Sequence, residues 1–438
     1  MTTGTVLGRT WSVCPVCLKR LAAVKVRRGG EVFLERECPD HGLFSAVVWR
    51  DRVDLAQWTS GVKAVGDEGN PDCPHACGLC SGHLRGTCCV ILEVTERCNL
   101  RCPFCFADGG GLREDPPLEE IRRSLEQIIR PGESLVQLSG GEPTVRDDLP
   151  EIVRAAKDLG CRYVQLNTNG IRLASDEPYV AALAQAGLSF VFLQFDGIDD
   201  DVYRTLRGRP LFDIKKQAIA RCGEYGIGVT LVPTLVPGVN IRSIGDILRF
   251  ALARSPAIRG VHFQPVSYFG RIPALPADGD RFTLDELMEQ IGLQGGDLFP
   301  VEELTPSRCN HPLCGFSGDF IVTRDGTLHS LNRKGGGEDR ECACEDFAAQ
   351  KRRYLGLRWE RSSEPSGCGD DLTDMDVFLE RFRSSSFTVS AMPFQDGGNL
   401  DLERLRYCTL HVFRGGKFIP FCACYLTPLL PSGETSPA

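Results

Sequence analysis

The sequence predicts an α/β protein built around a parallel sheet that curves into a partial barrel of six βα units. Short apolar runs typical of buried strands recur between residues 90 and 268, and helical repeats with one apolar face separate them. Successive βα units imply parallel strands joined by right-handed crossovers. Because a closed barrel of this kind has eight strands, we expect this barrel to be open.

Each predicted element has a local signal. A helix beginning at Leu118 keeps an apolar face and ends before Pro131, while Pro150 and Ser243 mark the starts of two further helices. Thr283 and Glu286 form a capping box at the start of another. The predicted strands are Val90–Val94, Leu135–Leu138, Tyr163–Leu166, Phe190–Phe195, Gly228–Leu235 and Gly260–Gln264.

The chain divides into four predicted parts. Residues 1–66 form a small rubredoxin-like or zinc-ribbon-like module, and residues 67–89 form a loop rich in Gly, Pro and Cys. Residues 90–268 form the partial barrel. Residues 269–438 form an α+β domain that binds further clusters, with hairpin turns at Asp325-Gly326 and Gly415-Gly416.

Composition narrows the class of protein. The 438 residues are 42% hydrophobic and 25% charged, as in soluble globular proteins, and the net charge of −8 argues against a general affinity for nucleic acid. No run approaches the roughly 20 apolar residues of a membrane span. No secretory signal is visible between Met1 and Trp11, so we expect a cytoplasmic protein, with contact to a membrane surface left open.

The 21 cysteines fall into close sets whose spacing suits chelation better than disulfide formation. The first set is Cys14, Cys17 and Cys38 with His41, in the arrangement of a zinc ribbon or rubredoxin-like knuckle. Three thiolates and one imidazole favour zinc. A mononuclear iron is the alternative if another thiolate replaces His41.

Cys98, Cys102 and Cys105 directly follow the first predicted barrel strand. Three thiolates at this spacing can hold three irons of a 4Fe–4S cluster and leave the fourth iron open for a small molecule. With Phe104 before the third cysteine, the stretch resembles the signature of the radical S-adenosylmethionine (SAM) superfamily. Gly140-Gly141-Glu142-Pro143, at the end of the second strand, resembles the GGEP motif of that superfamily, which binds the amino group of SAM.

The resemblance implies that the ends of successive strands line a pocket for SAM and substrate. Asp196 and Asn240 are open to a second interpretation, since either could simply cap a turn. The candidate cofactor-binding residues are Phe104, Gly140, Gly141, Glu142, Pro143, Asn167, Asn169, Asp196, Asn240 and Gln264.

The resemblance also implies the chemistry. SAM binds the open iron, the reduced cluster cleaves it, and the resulting 5′-deoxyadenosyl radical abstracts hydrogen from an unactivated carbon of a small-molecule or lipid substrate. Cys98, Cys102 and Cys105 are then the catalytic residues, and an electron donor such as ferredoxin or flavodoxin is an expected partner.

Two further cysteine sets are candidates for auxiliary 4Fe–4S clusters. Cys73, Cys77 and Cys80 repeat the spacing of the SAM set, with Cys88 or Cys89 as the fourth ligand and His83 as a weaker candidate. The other set lies in the C-terminal part. It comprises Cys309, Cys314, Cys408 and Cys422, with Cys424 nearby.

The hairpin at Gly415-Gly416 constrains that second set. A two-residue turn places Cys408 on the face of the hairpin opposite to Cys422, so a cluster shared across it predicts an odd loop or a bulge. Cys342, Cys344 and Cys368 are not placed by any pattern. We expect Cys161 and Cys222 to be ordinary buried cysteines.

The whole pattern, from Cys14 to about Cys424, resembles one radical SAM branch. That branch contains the archaeal tetraether lipid synthase and pterin methylases that use a methylenefolate-type carbon donor, and its members carry two auxiliary clusters and a mononuclear metal. We therefore expect C-methylation or carbon–carbon bond formation on a small molecule. The alternatives are lipid-tail coupling, peptide maturation of the SPASM type, and a non-catalytic iron–sulfur or zinc scaffold. The residues that carry the resemblance are Cys14-Pro-Val-Cys17, Cys38-Pro-Asp-His41-Gly42, Cys73-Pro-His-Ala-Cys77-Gly78-Leu79-Cys80 and Ile419-Pro420-Phe421-Cys422.

Overall fold

The structure is a computed structural model of the chain. It describes residues 4–60, 70–75, 77–111, 113–307, 309–323, 326–331 and 385–429. Asp325, Cys342, Cys344 and Cys368, which the sequence analysis singled out, lie outside the described residues.

The N-terminal module is a four-stranded antiparallel sheet in the order β1-β2-β3-β4. Its strands are β1 (Thr5–Val13), β2 (Arg20–Arg28), β3 (Glu31–Cys38) and β4 (Gly42–Trp49), followed by the short helix α1 (Leu55–Trp58). Val32 and Trp49 are buried in the main hydrophobic core. The buried Arg36 guanidinium donates to the carbonyls of Gly397 (3.0 Å) and Gly398 (2.6 Å), which fixes the module to the C-terminal segment.

The centre of the molecule is the predicted run of six parallel strands, which pair in sequence order. This confirms the predicted fold class. A short strand, β10, follows Pro233 and lies beside the last of the six. The strands are β5 (Cys89–Thr95), β6 (Leu135–Gly140), β7 (Tyr163–Thr168), β8 (Phe190–Gln194), β9 (Gly228–Val232), β10 (Thr234–Leu235) and β11 (Ile258–Pro265).

Helices cover the outer face of the barrel and bury their apolar stripes against it, as Ile121, Leu125 and Ile128 do. The predicted capping box is confirmed, because the Thr283 N–H donates to Glu286 Oε2 at 2.9 Å. None of the helices in the described ranges is long and apolar enough to cross a membrane. The barrel helices are α2 (Leu118–Ile128), α3 (Leu149–Asp158), α4 (Ile171–Ser175), α5 (Glu177–Gln185), α6 (Asp200–Arg207), α7 (Phe212–Glu224), α8 (Ile244–Leu252) and α9 (Leu284–Gly295).

The C-terminal strands join the barrel sheet. The elements are β12 (Thr305–Pro306), β13 (Phe316–Val322), β14 (Leu328–Ser330), β15 (Ser386–Ala391), α10 (Leu402–Arg406), β16 (Leu410–Arg414), β17 (Lys417–Pro420) and α11 (Phe421–Cys424). Strand β15 pairs in parallel with β11, and β16 pairs in parallel with β5. The six-stranded run is thus extended by one parallel strand at each edge, and β13 and β17 add antiparallel strands outside these.

The hairpin formed by β16 and β17 has a two-residue turn. Gly415 and Gly416 have φ angles of +57° and +74°, and Arg414 pairs with Lys417. The expectation of an odd loop or a bulge was therefore wrong. Strand β17 ends at Pro420, so Cys422 lies in α11, where strand register does not decide its direction.

Candidate active site and metal centres

Cys98, Cys102 and Cys105 lie in the loop after β5, at the carboxyl edge of the sheet, and line one end of a cavity of about 330 Å³. The Leu100 N–H lies 3.4 Å from Cys98 Sγ, and the Gly109 N–H lies 3.4 Å from Cys105 Sγ. Three thiols on one cavity wall, two of them next to backbone donors, fit a 4Fe–4S cluster with one open iron.

Gly140 and Gly141 allow β6 to approach the cysteine loop. A Cβ on Gly141 would lie 2.2 Å from the carbonyl oxygen of Arg97, and one on Gly140 would lie 2.2 Å from that of Thr95. Two backbone hydrogen bonds of 2.8 Å, from Gly141 N to Thr95 O and from Glu142 N to Arg97 O, join the two segments. The two glycines are therefore required by the backbone of the end of β5 and of the cysteine loop, which lies directly against them.

Glu142 links the turn after β6 to the end of β7 by hydrogen bonds, and Asn169 extends this network to the cysteine loop. Its buried carboxylate accepts from Thr144 N (3.1 Å), Thr144 Oγ1 (2.7 Å) and Thr168 Oγ1 (2.6 Å) at Oε1, and from Asn169 N (2.6 Å) at Oε2. The Asn169 side chain in turn donates to Asn99 Oδ1 in the cysteine loop at 2.7 Å. Oε2, with one donor from the described chain, retains the capacity to accept from a ligand amine.

Asp196 and Asn240 stabilise strand ends and do not line the cavity. Asp196 is fully buried and makes a bidentate ion pair with Arg207, with both N–O distances at 2.7 Å. The Asn240 amide donates to the carbonyls of Asp196 (2.9 Å) and Thr234 (2.7 Å). We infer that both residues act through other groups rather than by touching SAM.

Sequence reasoning missed two buried cations at the site. Arg207 lines the cavity and interacts with the Cys102 thiol. Lys215 lies behind the cavity, where its ammonium group donates to the Asn169 carbonyl, and burial lowers its pKa to about 8. Both residues lie on helices, and no local motif distinguishes them from surface charges.

The cavity extends from the SAM cysteines to Cys309 and Cys314. Polar side chains from successive strands line it, including Gln137, Asn167 and Gln264. His262 Nδ1 lies 2.9 Å from Ser390 Oγ, and its ring lies 5.7 Å from that of Phe192. The remaining candidate Phe104 also lines the cavity, and Pro143 opens a single helical turn behind it.

The other cysteines separate into two neighbourhoods. Cys73, Cys77 and Cys80 line a second cavity, between the N-terminal sheet and α10, with 4.0 Å between the sulfurs of Cys73 and Cys77. Cys88 and Cys89 line the main cavity. The structure therefore does not place Cys88 on the same cavity as the set for which the sequence analysis proposed it as fourth ligand.

Cys14, Cys17, Cys38 and His41 meet at one end of the N-terminal sheet, and their ligand atoms all lie within 4.8 Å of one another. His41 Nδ1 lies 3.5 Å from Cys38 Sγ and 3.6 Å from Cys14 Sγ. Three sulfurs and one imidazole nitrogen at this separation fit a four-coordinate structural metal, with zinc the usual occupant.

Comparisons with known proteins agree with this geometry. The family model described as the radical SAM superfamily matches residues 92–251, and the model of the HMPTM N-terminal zinc ribbon domain matches residues 6–50. The chain belongs to the radical SAM superfamily, and it is an enzyme of that class. Membership implies SAM and a 4Fe–4S cluster as cofactors.

Individual relatives extend the match. The chain is 33% identical to 7,8-dihydro-6-hydroxymethylpterin dimethyltransferase of Methanocaldococcus jannaschii, over 94% of this chain and 92% of the relative. It is 32% identical to Fe-coproporphyrin III synthase of Methanosarcina barkeri, over 51% and 56% of the two chains. Among solved structures, Streptococcus suis SuiB bound to S-adenosylmethionine matches with a TM-score of 0.40 and 19% identity, over 48% of this chain and 47% of SuiB.

Proposed function

We propose that this protein is a radical SAM C-methyltransferase that acts on a small polar heterocycle of the pterin type. The observation that carries the proposal is the cavity between the SAM cysteines and Cys309 and Cys314, with its wall of amide and hydroxyl side chains. The full-length similarity to a pterin dimethyltransferase supports it, whereas the similarity to the coproporphyrin synthase covers about half of each chain.

The residues of the cysteine loop have defined roles in this proposal. Cys98, Cys102 and Cys105 hold the cluster, and burial raises the pKa of Cys98 to about 11, so cluster binding must displace its proton. When bound, the cluster and SAM together supply an organic radical able to remove hydrogen from carbon. Glu142 and Arg207 offer an acceptor for the amine and a cation for the carboxylate of the SAM methionine group.

The polar side chains that line the cavity suit a flat, polar ring. The amides of Gln137 and Gln264 offer donors and acceptors that match the alternating ring nitrogens and exocyclic groups of a pterin. Asn167 accepts from Gln165 Nε2 (2.7 Å) and donates to Gln137 Oε1 (3.4 Å), which orients the Gln137 amide. Burial lowers the pKa of His262 to about 4, so the ring is neutral at physiological pH and acts as a hydrogen-bonding and stacking group. Phe192 adds an apolar face beside it.

The same side chains argue against lipid-tail coupling. A hydrocarbon chain in this cavity would offer no partner to the Gln264 amide or to the NH₂ group of Gln137, at about 1–3 kcal/mol for each polar group left unsatisfied, whereas Asn167 is already bonded to Gln165 (2.7 Å) and Gln137 (3.4 Å). A pterin would satisfy the Gln264 amide and the Gln137 NH₂ group instead. We propose a ferredoxin- or flavodoxin-type protein as the electron donor, two auxiliary 4Fe–4S clusters and zinc at the N-terminal site.

The test uses the full-length chain, reconstituted anaerobically and supplied with dithionite, SAM and 7,8-dihydro-6-hydroxymethylpterin. Mass spectrometry should show a gain of one or two methyl groups on the pterin together with 5′-deoxyadenosine. Parallel reactions with CD₃-labelled SAM and with ¹³C-methylenetetrahydrofolate identify the carbon source. The Cys98→Ala variant should form neither product.

Two results would count against the proposal. If wild-type protein releases 5′-deoxyadenosine but leaves the pterin unchanged with both carbon sources, the substrate assignment fails. If Gln137→Leu and Gln264→Leu variants methylate the pterin with an unchanged KM, these two amide side chains do not bind the substrate.

A further inference from the structure

Arg404, on α10, is a buried cation in the C-terminal segment. The residue is 6% exposed, its Nη2 donates to the Pro393 carbonyl at 3.3 Å, and its Nε has no hydrogen-bond partner in the described part of the chain. The neighbouring carboxylate of Asp401 is bonded to Lys25, at 2.8 Å, and to Thr10. A guanidinium this deeply buried is costly unless an anion lies beside it.

The groups around Arg404 are thiols. Cys314 is a hydrogen-bonding neighbour of the guanidinium, and the charge of Cys422 also acts on it.

Backbone contacts place the same cysteines around α10. Cys408 follows the helix directly, and its N–H donates to the Leu405 carbonyl at 3.1 Å. The Gln395 N–H donates to Cys422 Sγ at 3.3 Å, two residues from the Pro393 carbonyl that Arg404 contacts. Cys314 and Cys408 are both neighbours of Cys422, and Cys408 is also a neighbour of Cys77 in the other set, so the Cys408→Ala variant below decides between the two sets.

We propose that Arg404 is the buried counter-ion of the auxiliary iron–sulfur cluster for which Cys314, Cys408 and Cys422 are the candidate ligands. The inference rests on the proposed function only in assuming that the chain carries auxiliary clusters. A 4Fe–4S cluster with thiolate ligands bears a net negative charge, which supplies the anion that Arg404 lacks among the described residues. Cys309, which lines the same cavity as Cys314, is the expected fourth thiolate.

A counter-ion of this kind affects the redox properties of the cluster. A nearby positive charge stabilises the reduced cluster more than the oxidised one, because reduction adds negative charge. Arg404 should therefore hold the reduction potential of this cluster above the value it would have with a neutral residue in the same place. Lysine should preserve much of the effect, since it keeps the charge.

The experiment isolates this cluster in the full-length chain. Cys73→Ala with Cys77→Ala, and Cys98→Ala with Cys102→Ala, remove the other two iron–sulfur sets. The remaining iron should be about four atoms per chain beyond the N-terminal metal. Cys314→Ala, Cys408→Ala and Cys422→Ala are then added one at a time, and each should abolish the remaining iron–sulfur spectrum. A spectrum that survives each of these single changes would overturn the cluster assignment.

The counter-ion is tested by EPR-monitored redox titration in the same background. Arg404→Gln should keep the iron and shift the reduction equilibrium at least tenfold toward the oxidised form, about 59 mV for one electron. Arg404→Lys should shift it less, and Arg406→Gln, on the same helix but bonded to the Gly82 carbonyl, should not shift it. An unchanged potential in Arg404→Gln refutes the counter-ion role.

If Arg404→Gln does not fold, Arg404→Met removes the same charge with an apolar side chain: a reduction equilibrium shifted at least tenfold toward the oxidised form supports the counter-ion role, and an equilibrium equal to that of Arg406→Gln refutes it. No substrate enters these measurements. A failure to methylate a pterin would therefore leave their outcome untouched.

Discussion

Replacing Gly141 by alanine should disable the SAM site while the rest of the chain stays folded. The added Cβ would lie 2.2 Å from Arg97 O and 2.7 Å from Glu96 O. Both neighbours are backbone atoms of the cysteine loop, so no side-chain rotation can relieve the contact. The loop and the end of β6 must move apart.

The size of the effect follows from that separation. An ordinary contact requires the two segments to open by about 1 Å, since carbon and oxygen normally meet at roughly 3.2 Å or more. The movement weakens the bonds from Gly141 N to Thr95 O and from Glu142 N to Arg97 O, both 2.8 Å long. Two hydrogen bonds at about 1 kcal/mol each, with about 1–3 kcal/mol of overpacking strain, give a local cost of about 3–5 kcal/mol.

A graded series of glycine replacements tests this reasoning. A Cβ on Gly109 would lie 3.1 Å from Gly141 Cα, and one on Gly86 would meet no atom within 4 Å. Displacing catalytic groups by about 1 Å can lower a rate by about 100-fold, so Gly141→Ala should lose about that much 5′-deoxyadenosine formation. Gly109→Ala should lose less, and Gly86→Ala should match wild type. If Gly141→Ala retains full iron and a rate within about threefold of wild type, the loop does not need the contact described here.

Three further predictions concern the supporting residues. His41→Ala should lose one equivalent of zinc or iron on metal analysis and keep its acid-labile sulfide; retention of that metal would contradict the site. Burial lowers the pKa of Lys215 from 10.5 to about 8, so between these values the unfolded chain holds more protons on this residue, and the contribution of Lys215 to folding stability should rise with pH, opposite in sign to that of buried cysteines such as Cys98 and Cys161, whose pKa values burial raises. Lys215→Met should abolish that rise in urea unfolding of the apoprotein, and an identical pH profile would refute it. Asp196→Asn leaves Arg207 buried without its partner and should cost about 3–5 kcal/mol of unfolding free energy, much of it regained when Arg207→Gln is added.

The barrel strands could be predicted because their signals are local. Each buried run is short, apolar and followed by a Gly-, Pro- or Asn-containing turn, as at Gly140 and Asn169. The capping box at Thr283 is equally local, because its partner is three residues away. The spacing of Cys98, Cys102 and Cys105 sufficed to identify the cysteine loop for the same reason.

What the sequence could not predict depends on pairing between distant segments. Strand β16 joins the sheet beside β5, more than 300 residues earlier in the chain, and no local pattern in either strand specifies the other. Asp196 and Asn240 follow strands, as ligand-binding residues do, yet each is satisfied by protein groups that only the folded chain brings near. The position of Cys422 depended on where β17 ends, and Pro420 places that end two residues before the cysteine.

The positions of the two auxiliary cysteine sets imply different tasks for them. Cys309 and Cys314 line the same cavity as the SAM cysteines, so a cluster there would border the bound substrate and could exchange an electron with it directly. Cys73, Cys77 and Cys80 instead border the second cavity, beneath the N-terminal sheet. A cluster in that place is separated from the substrate but closer to the metal module, which suits transfer of electrons or structural support. Loss of the Cys73 set should therefore slow reduction of the enzyme while leaving the product unchanged, whereas loss of the Cys314 set should alter what becomes of the substrate radical.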